Sequence, residues 1–168
     1  MSGALTIAAV QCTGIFDAAE RASAHILACA RDAVSAGARL IVFPEAYLHG
    51  HSYEAALVAR RARAIDDPEI VPLAQARAAL PIMAIVGFFE LRGDVIHNSA
   101  MVIGGGHVIG CYAKQGPREG GCAPGMDRPL FDCDGWPFAI SICRDTRSSE
   151  LALAFAAEGA RLLCYPLG

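Results

Sequence analysis

An α/β fold is predicted by the order in which strand-like and helix-like segments follow one another. The stretch Leu5 to Cys12 has the composition of a buried strand. Apolar residues then recur at helical spacing from Asp17 to Ala36, and Gly37 ends that helix. The wholly apolar run Leu40 to Phe43 is typical of a strand buried on both faces. In a chain of 168 residues that is 54% hydrophobic, this order indicates a single domain over residues 1–168.

The middle of the chain contains two predicted helices followed by three predicted strands. Helices are expected for Ser52 to Ala64 and, after a capping Asp-Asp-Pro sequence, for Glu69 to Leu80. Strands are expected for Ile82 to Phe89, Val95 to Ile103 and His107 to Ala113. Gly-Asp and triple-Gly turns separate the three strands, so we expect a meander.

A loop and a last strand-helix-strand segment complete the order. Residues Gln115 to Arg128 include four glycines and two prolines, which favours a loop, and long ordered loops are often functional. Strand character returns at Phe138 to Cys143. A helix is predicted for Ser148 to Ala157, and Arg161 to Tyr165 is predicted to start another strand.

Composition excludes several classes of function. Fourteen Lys and Arg against seventeen Asp and Glu give a net charge of −3 without a basic cluster, so we expect no nucleic-acid partner. No stretch is apolar enough to span a bilayer, and the amino terminus lacks the basic region of a signal peptide. We therefore expect a cytoplasmic protein without membrane association. Its seven cysteines, with no Cys-x-x-Cys pair, are expected to be reduced.

Three chemically distinctive side chains each come at the end of a predicted strand. Cys143 lies at a strand-to-helix corner, where a helix amino terminus and a nearby cation would lower the pKa of its thiol. Lys114 could supply that cation and stabilise the oxyanion of an acyl transfer. Glu45 could then act as the base. The three residue types together predict nucleophilic attack by sulfur on a carbonyl or nitrile carbon.

Three motifs, in the same order along the chain, resemble those of the nitrilase superfamily, also called the carbon-nitrogen hydrolases. They are Gly37 to Glu45, His97 to Lys114 and Ile142 to Arg147, and the similarity continues through Glu158-Gly-Ala and Pro166.

The resemblance implies a role for each site residue. Glu45 would be the general base, Lys114 the oxyanion-stabilising lysine and Cys143 the nucleophile. The backbone N–H of Arg144 would be a second oxyanion donor, and Glu119 resembles a second glutamate that several members place beside the lysine. No metal and no organic cofactor are implied.

The same resemblance implies an α-β-β-α four-layer sandwich, assembled into homodimers or larger homo-oligomers. Family members continue past the strand expected at Arg161 to Leu167, so we expect the sandwich to be incomplete in this chain. The implied reaction is hydrolysis of a non-peptide carbon-nitrogen bond in a small amide or carbamoyl compound through a cysteine thioester. Cys143-Arg-Asp is nearer to the amidase and carbamoyl hydrolase branches than the Cys-Trp-Glu of nitrilases. Ser148-Ser149 replaces the usual aromatic-proline pair, and Gln115 follows the lysine, so the pocket is expected to differ.

Two other functions stay open. An isochorismatase-like cysteine hydrolase would carry an aspartate after its first strand, and Leu5 to Cys12 contains no acidic residue. A non-catalytic fragment or subunit could instead keep the three side chains and act only in binding or assembly.

The remaining cysteines and two histidines have simpler interpretations. Buried packing is expected for Cys12, Cys29 and Cys164. The spacing of Cys111, Cys122 and Cys133 matches no usual zinc pattern. His49 and His51 are expected at the solvent or the pocket rim rather than on a metal.

Overall fold

The computed structural model describes residues 4–168, which form two β-sheets and four α-helices. The larger sheet has five strands in the order β1 Ile7–Ala9, β2 Leu40–Val42, β3 Met83–Arg92, β4 Val95–Gly104 and β5 His107–Ala113. The smaller sheet has three, in the order β6 Phe131–Cys133, β7 Trp136–Ile140 and β8 Leu162–Cys164. The helices are α1 Ala19–Ser35, α2 Ala55–Arg61, α3 Val71–Gln75 and α4 Ser149–Ala157, and a 3-10 turn covers Cys143–Arg147.

Strand directions follow from the connections. The first three strands are parallel, because α1 connects β1 to β2, and α2 and α3 lie between β2 and β3. Short turns make β3, β4 and β5 antiparallel, which confirms the predicted meander. In the smaller sheet β6 and β7 form an antiparallel hairpin, and α4 connects β7 to its parallel neighbour β8.

The larger sheet is buried on both faces. Leu40 and Ile85 belong to the core shared with Phe138 of the smaller sheet. Their neighbours along the strands, such as Ile41, belong to a separate core that includes Ile26 of α1. Adjacent residues of a strand point to opposite faces of the sheet. Because each face packs against its own core, both sets of strand residues must be apolar, which explains the continuous apolar runs in the sequence. The predicted α/β sandwich class is confirmed.

Several predicted bounds are wrong in detail. The strand expected to run to Cys143 ends at Ile140, and Cys143 instead begins the 3-10 turn. Helix α3 has five residues, much shorter than the predicted segment, and strand β6 was not predicted. The loop expected over residues 115–128 is confirmed, since it contains no helix or named strand.

The cysteines are all free thiols, as expected. Cys164 is buried, but Cys12 is exposed, so its expected burial is wrong. None of the helices in residues 4–168 is long and apolar enough to cross a membrane.

Candidate active site

Glu45 is placed by a tight turn after β2. The next residue, Ala46, has a φ of +47°, which turns the chain sharply, and the Glu45 N–H donates to the Leu167 carbonyl at 3.2 Å. Strand β3 passes directly beneath this turn. A Cβ built on Gly87 would lie 2.4 Å from the Ala46 nitrogen and 2.6 Å from the Pro44 oxygen, so only glycine fits there.

Lys114 is placed by the antiparallel pairing of β4 and β5. Ser99 pairs with Ala113, and one step further the Lys114 N–H donates to the Asn98 carbonyl at 2.8 Å. The side-chain amide of Asn98 in turn donates to Glu45 Oε1 at 2.8 Å. Asn98 therefore links the strand that positions the lysine to the carboxylate that the lysine contacts.

The Lys114 ammonium lies between two buried carboxylates. Its Nζ donates to Glu45 Oε1 at 2.7 Å and to Glu119 Oε1 at 2.8 Å. Burial alone would lower the pKa of Lys114, but the two carboxylates raise it above its ordinary value. Burial would raise the pKa of Glu119, but hydrogen bonds from His51 and Lys114 hold it well below its usual range. Both groups are therefore charged at neutral pH.

Cys143 occupies a conformation that non-glycine residues rarely adopt. Its φ is +43°, and its N–H donates to the Pro166 carbonyl at 3.0 Å, which joins the turn to the segment after β8. Burial, the nearby charge of Glu45 and a hydrogen bond with that carboxylate raise the pKa of the Cys143 thiol, and Lys114 only partly opposes them. The expectation of a lowered pKa is wrong, because burial of the sulfur and then the glutamate act on the pKa more strongly than the ammonium does.

A cavity of about 350 Å³ lies beside these groups. Lys114, Glu119 and Cys143 line it together with three arginines, Arg118, Arg144 and Arg147. The Arg144 N–H belongs to the first turn of the 3-10 helix, where backbone donors have no intrahelical acceptor. A carbonyl oxygen next to the sulfur could therefore meet both an ammonium and a backbone donor.

The site also contains a set of atoms that resembles a metal site. One donor atom each from Glu45, His51 and Glu119 lie within 4.8 Å of one another. The Lys114 ammonium already lies 2.7 and 2.8 Å from two of these oxygens, so a cation of the protein itself occupies the position between the carboxylates.

Comparison with known proteins identifies the family. The model of the carbon-nitrogen hydrolase family matches residues 6–168. This chain belongs to the carbon-nitrogen hydrolases. It is 30% identical over 166 residues to an omega-amidase from Arabidopsis thaliana, covering 88% of this chain and 44% of the relative. It is 25% identical to a nitrilase from Bradyrhizobium diazoefficiens, covering 97% and 57%.

Solved structures support the same fold. An amidase from Nesterenkonia sp. superposes with a TM-score of 0.81 at 23% identity, covering 99% of this chain and 66% of the amidase. A glutamine-dependent NAD+ synthetase from Acinetobacter baumannii gives a TM-score of 0.82 at 20% identity, covering 96% of this chain and 32% of the synthetase. This carbon-nitrogen hydrolase chain spans about half the length of the curated relatives it matches.

One buried carboxylate of this carbon-nitrogen hydrolase was missed as a site residue. Asp145, two residues after the cysteine, accepts hydrogen bonds from the Tyr112 hydroxyl at 2.7 Å and from the backbone N–H groups of Gln115 at 3.2 Å and Gly116 at 2.9 Å. It thereby ties the cysteine turn to the loop after Lys114. The available signal was an acidic residue close behind an apolar run, separated from Ile142 only by Cys143 and Arg144, since a buried acid needs polar partners.

The two histidines behave differently from each other. His51 Nε2 lies 2.9 Å from Glu119 Oε1 and 4.0 Å from Glu45 Oε1, so it is part of the carboxylate cluster. His49 is buried and its Nε2 lies 3.0 Å from Glu69 Oε2, so its expected position at the solvent or the pocket rim is wrong. Both histidines follow Glu45 closely in the sequence. Which histidine points towards Glu45 depends on the geometry of the turn, so the sequence alone could not indicate it.

Proposed function

We propose that the chain hydrolyses the carbon-nitrogen bond of small amides or carbamoyl compounds through a thioester on Cys143. The observation that carries the proposal is that Lys114 and Cys143 line one cavity, while the buried Glu45 carboxylate contacts the Lys114 ammonium and acts electrostatically on the Cys143 thiol. Membership of the carbon-nitrogen hydrolases supports the reaction class.

The first half of the reaction starts from a protonated thiol. Because the pKa of Cys143 is raised, sulfur needs a base as it attacks, and Glu45 is the carboxylate that contributes to this raised pKa. Sulfur bonds to the substrate carbon while Glu45 takes the proton, and the carbonyl oxygen becomes an oxyanion. Lys114 and the Arg144 N–H stabilise that charge. The carbon-nitrogen bond then breaks, and Glu45 returns the proton to the leaving ammonia.

The second half releases the product acid. Glu45 takes a proton from a water molecule, and the resulting hydroxyl attacks the thioester carbon. The carbon-sulfur bond then breaks to give the carboxylic acid, and Glu45 returns its proton to the departing Cys143 sulfur. Lys114 can serve in both halves only if it stays charged. Glu119 supports this, because its low pKa keeps a second negative charge beside the ammonium at neutral pH.

Ammonia release from a panel of small aliphatic amides and carbamoyl compounds tests the proposal. We expect release by the wild-type chain and its loss in Cys143→Ala. The matched control is Cys29→Ala on α1, which removes a half-buried thiol from a helix that does not line the cavity. Equal release by both variants would contradict the mechanism. No release by the wild-type chain would refute hydrolysis and favour a binding or assembly role.

The substrate and assembly predictions belong to the same proposal. We propose a small-molecule amide partner and a homodimer or larger homo-oligomer, in the cytoplasm and without a metal or organic cofactor. Sedimentation of the purified chain tests the assembly, and a monomer across micromolar concentrations would contradict it.

A further inference from the structure

A buried asparagine, Asn98, holds one oxygen of the Glu45 carboxylate. Its side-chain amide nitrogen donates to Glu45 Oε1 at 2.8 Å, and the Lys114 ammonium donates to the same oxygen at 2.7 Å. Neither group donates to Oε2. The two oxygens of this carboxylate therefore differ, because Oε1 accepts from two donors and Oε2 is left for another proton.

The second oxygen faces the segment that holds the cysteine turn. A Cβ built on Gly168 would lie 3.1 Å from Glu45 Oε2, so this oxygen borders the segment that follows β8. In the same segment, the Pro166 carbonyl accepts a hydrogen bond from the Cys143 N–H at 3.0 Å. Oε2 thus borders a segment that is tied to the cysteine turn, whereas Oε1 is bound to the lysine.

The lysine alone would not fix this orientation. The last torsion of a glutamate side chain is broad, so the carboxylate can turn about it. An ammonium group is a compact charge on a flexible stem, and its three donors can follow a carboxylate that turns. The Asn98 amide is planar, and its residue is fully buried within strand β4, so the sheet fixes its position. The second donor therefore sets the plane of the carboxylate.

Stability alone is a poor reason for an asparagine at this position. The Asn98 Oδ1 atom is buried and has no hydrogen-bond partner within residues 4–168. An ionised carboxylate oxygen only accepts, so the amide must present its nitrogen to Glu45 and turn Oδ1 away. A buried carbonyl oxygen without a partner costs stability. His49, Arg77 and Ser99 also have such atoms in this part of the chain, but only Asn98 among them bonds to a site residue.

We infer that Asn98 is a positioning residue for Glu45: its amide fixes Oε1, so that Oε2 is the oxygen that exchanges protons during the reaction. The inference rests on the proposed function and deepens it by naming the atom of the base that reacts. In the first half, Oε2 takes the proton of the Cys143 thiol and returns it to the leaving ammonia. In the second half, Oε2 takes a proton from water and returns it to the sulfur. The bonds of Oε1 stay intact throughout.

Turnover by Asn98→Leu is the first test. Leucine has nearly the shape of asparagine, but it removes both the donor to Glu45 and the unpartnered oxygen. The kcat for ammonia release should fall about 10- to 100-fold, because a general base contributes at least this much when it is correctly aimed. KM should stay within about twofold, since Asn98 does not line the cavity in the described part of the chain. The urea midpoint should not fall, because Lys114 still bonds to Oε1 and the unpartnered oxygen is gone.

The matched control is Ser99→Ala, at the next residue and on the opposite face of β4. It also removes a buried side-chain oxygen without a partner and should keep the wild-type kcat. Asn98→Ala carries the same prediction as Asn98→Leu and covers the case in which leucine does not fit. Wild-type kcat in an Asn98 variant would overturn the inference. Loss of folding in both Asn98 variants would also overturn it, because the asparagine would then hold the fold rather than the base.

The second test follows alkylation of Cys143 by iodoacetamide and needs no turnover. Peptide mass spectrometry gives its rate relative to that of the exposed Cys12. At pH 7 the thiol needs a base aimed at its sulfur, so the relative rate should be about tenfold lower in Asn98→Leu than in the wild type. As the pH rises towards the raised pKa of the Cys143 thiol, the thiolate reacts without a base and the difference should disappear. Equal rates at pH 7, or a deficit of the same size at every pH, would overturn the inference.

The two tests separate the inference from the proposed function. Wild-type kcat in Asn98→Leu, together with loss of release in Cys143→Ala, would overturn the role of Asn98 and leave the proposed function intact. The pH-dependent difference in alkylation, without ammonia release by the wild-type chain, would refute the proposed function and leave the positioning role intact.

Discussion

Replacing Gly87 by alanine should displace the Glu45 carboxylate without changing its chemistry. The new Cβ would lie 2.4 Å from the Ala46 nitrogen and 2.9 Å from the Glu45 carbonyl carbon, whereas ordinary contact begins near 3.4 Å. The turn must therefore retreat by about 1 Å, since both close atoms are backbone atoms that cannot rotate away. A shift of this size would break the 2.7 Å contact between Glu45 and Lys114. Misplacement by about 1 Å costs about 100-fold in rate, and overpacking costs about 1–3 kcal/mol of stability.

The assay is kcat/KM for ammonia release, measured beside the denaturation midpoint in urea. Gly104→Ala in strand β4 is the matched control. Its Cβ would also be close to a neighbour, at 2.8 Å, but that neighbour is the end of the half-exposed Ile109 side chain, which can rotate away. We expect Gly104→Ala to keep most of the activity. Wild-type kcat/KM in Gly87→Ala, or an equal loss in both variants, would refute the claim that β3 positions Glu45.

Three further substitutions test the roles of the buried charged residues Asp145, Glu119 and Arg77. Asp145→Asn leaves buried hydrogen-bond donors unpaired, so it should lower the unfolding free energy, measured in urea, by about 1–3 kcal/mol and should also lower activity. Asp132→Asn at an exposed position should change both little. Equal effects of the two substitutions would contradict the role of Asp145. The low pKa of Glu119 contributes stability that is present above its unfolded pKa of about 4.3 and is lost as the pH falls below it. The unfolding free energy of Glu119→Gln should therefore fall less steeply on acidification than that of the wild type. Parallel curves of unfolding free energy against pH would contradict this. Arg77 is buried, and within residues 4–168 its side chain makes a single hydrogen bond, to the Ile82 carbonyl. Burial lowers the pKa of Arg77 to about 10, so Arg77→Met should raise the unfolding free energy by about 1 kcal/mol or more. A loss of stability would show an unrecognised partner.

The order of the strands and the convergence of three site residues could be predicted because both depend on local patterns. A run such as Leu40 to Phe43 has no polar position, which only a strand between two cores explains. Glu45 and Lys114 each follow such a run, so the edge of one sheet brings them together.

What the sequence did not predict depends on turn geometry and on distances between segments. Strand β6 has only three residues, although the Asp134-Gly135 pair that follows it is a favoured hairpin turn and could have indicated it. The positive φ of Cys143 has no sequence signal, since glycine is the residue expected there. The raised pKa of its thiol reflects burial and the charge of Glu45, and both arise only on folding, since Glu45 lies 98 residues earlier in the chain.

A thioester at Cys143 is the intermediate that the proposed reaction requires. The chain would be mixed with a small aliphatic amide that it hydrolyses, quenched in acid after milliseconds to seconds, and analysed by peptide mass spectrometry. We predict that the peptide containing Cys143 gains the mass of the acyl group, and that hydroxylamine removes the group as a hydroxamate. Release of ammonia at an undiminished rate by Cys143→Ala, with no acylated peptide at any time point in the wild-type chain, would contradict the central claim.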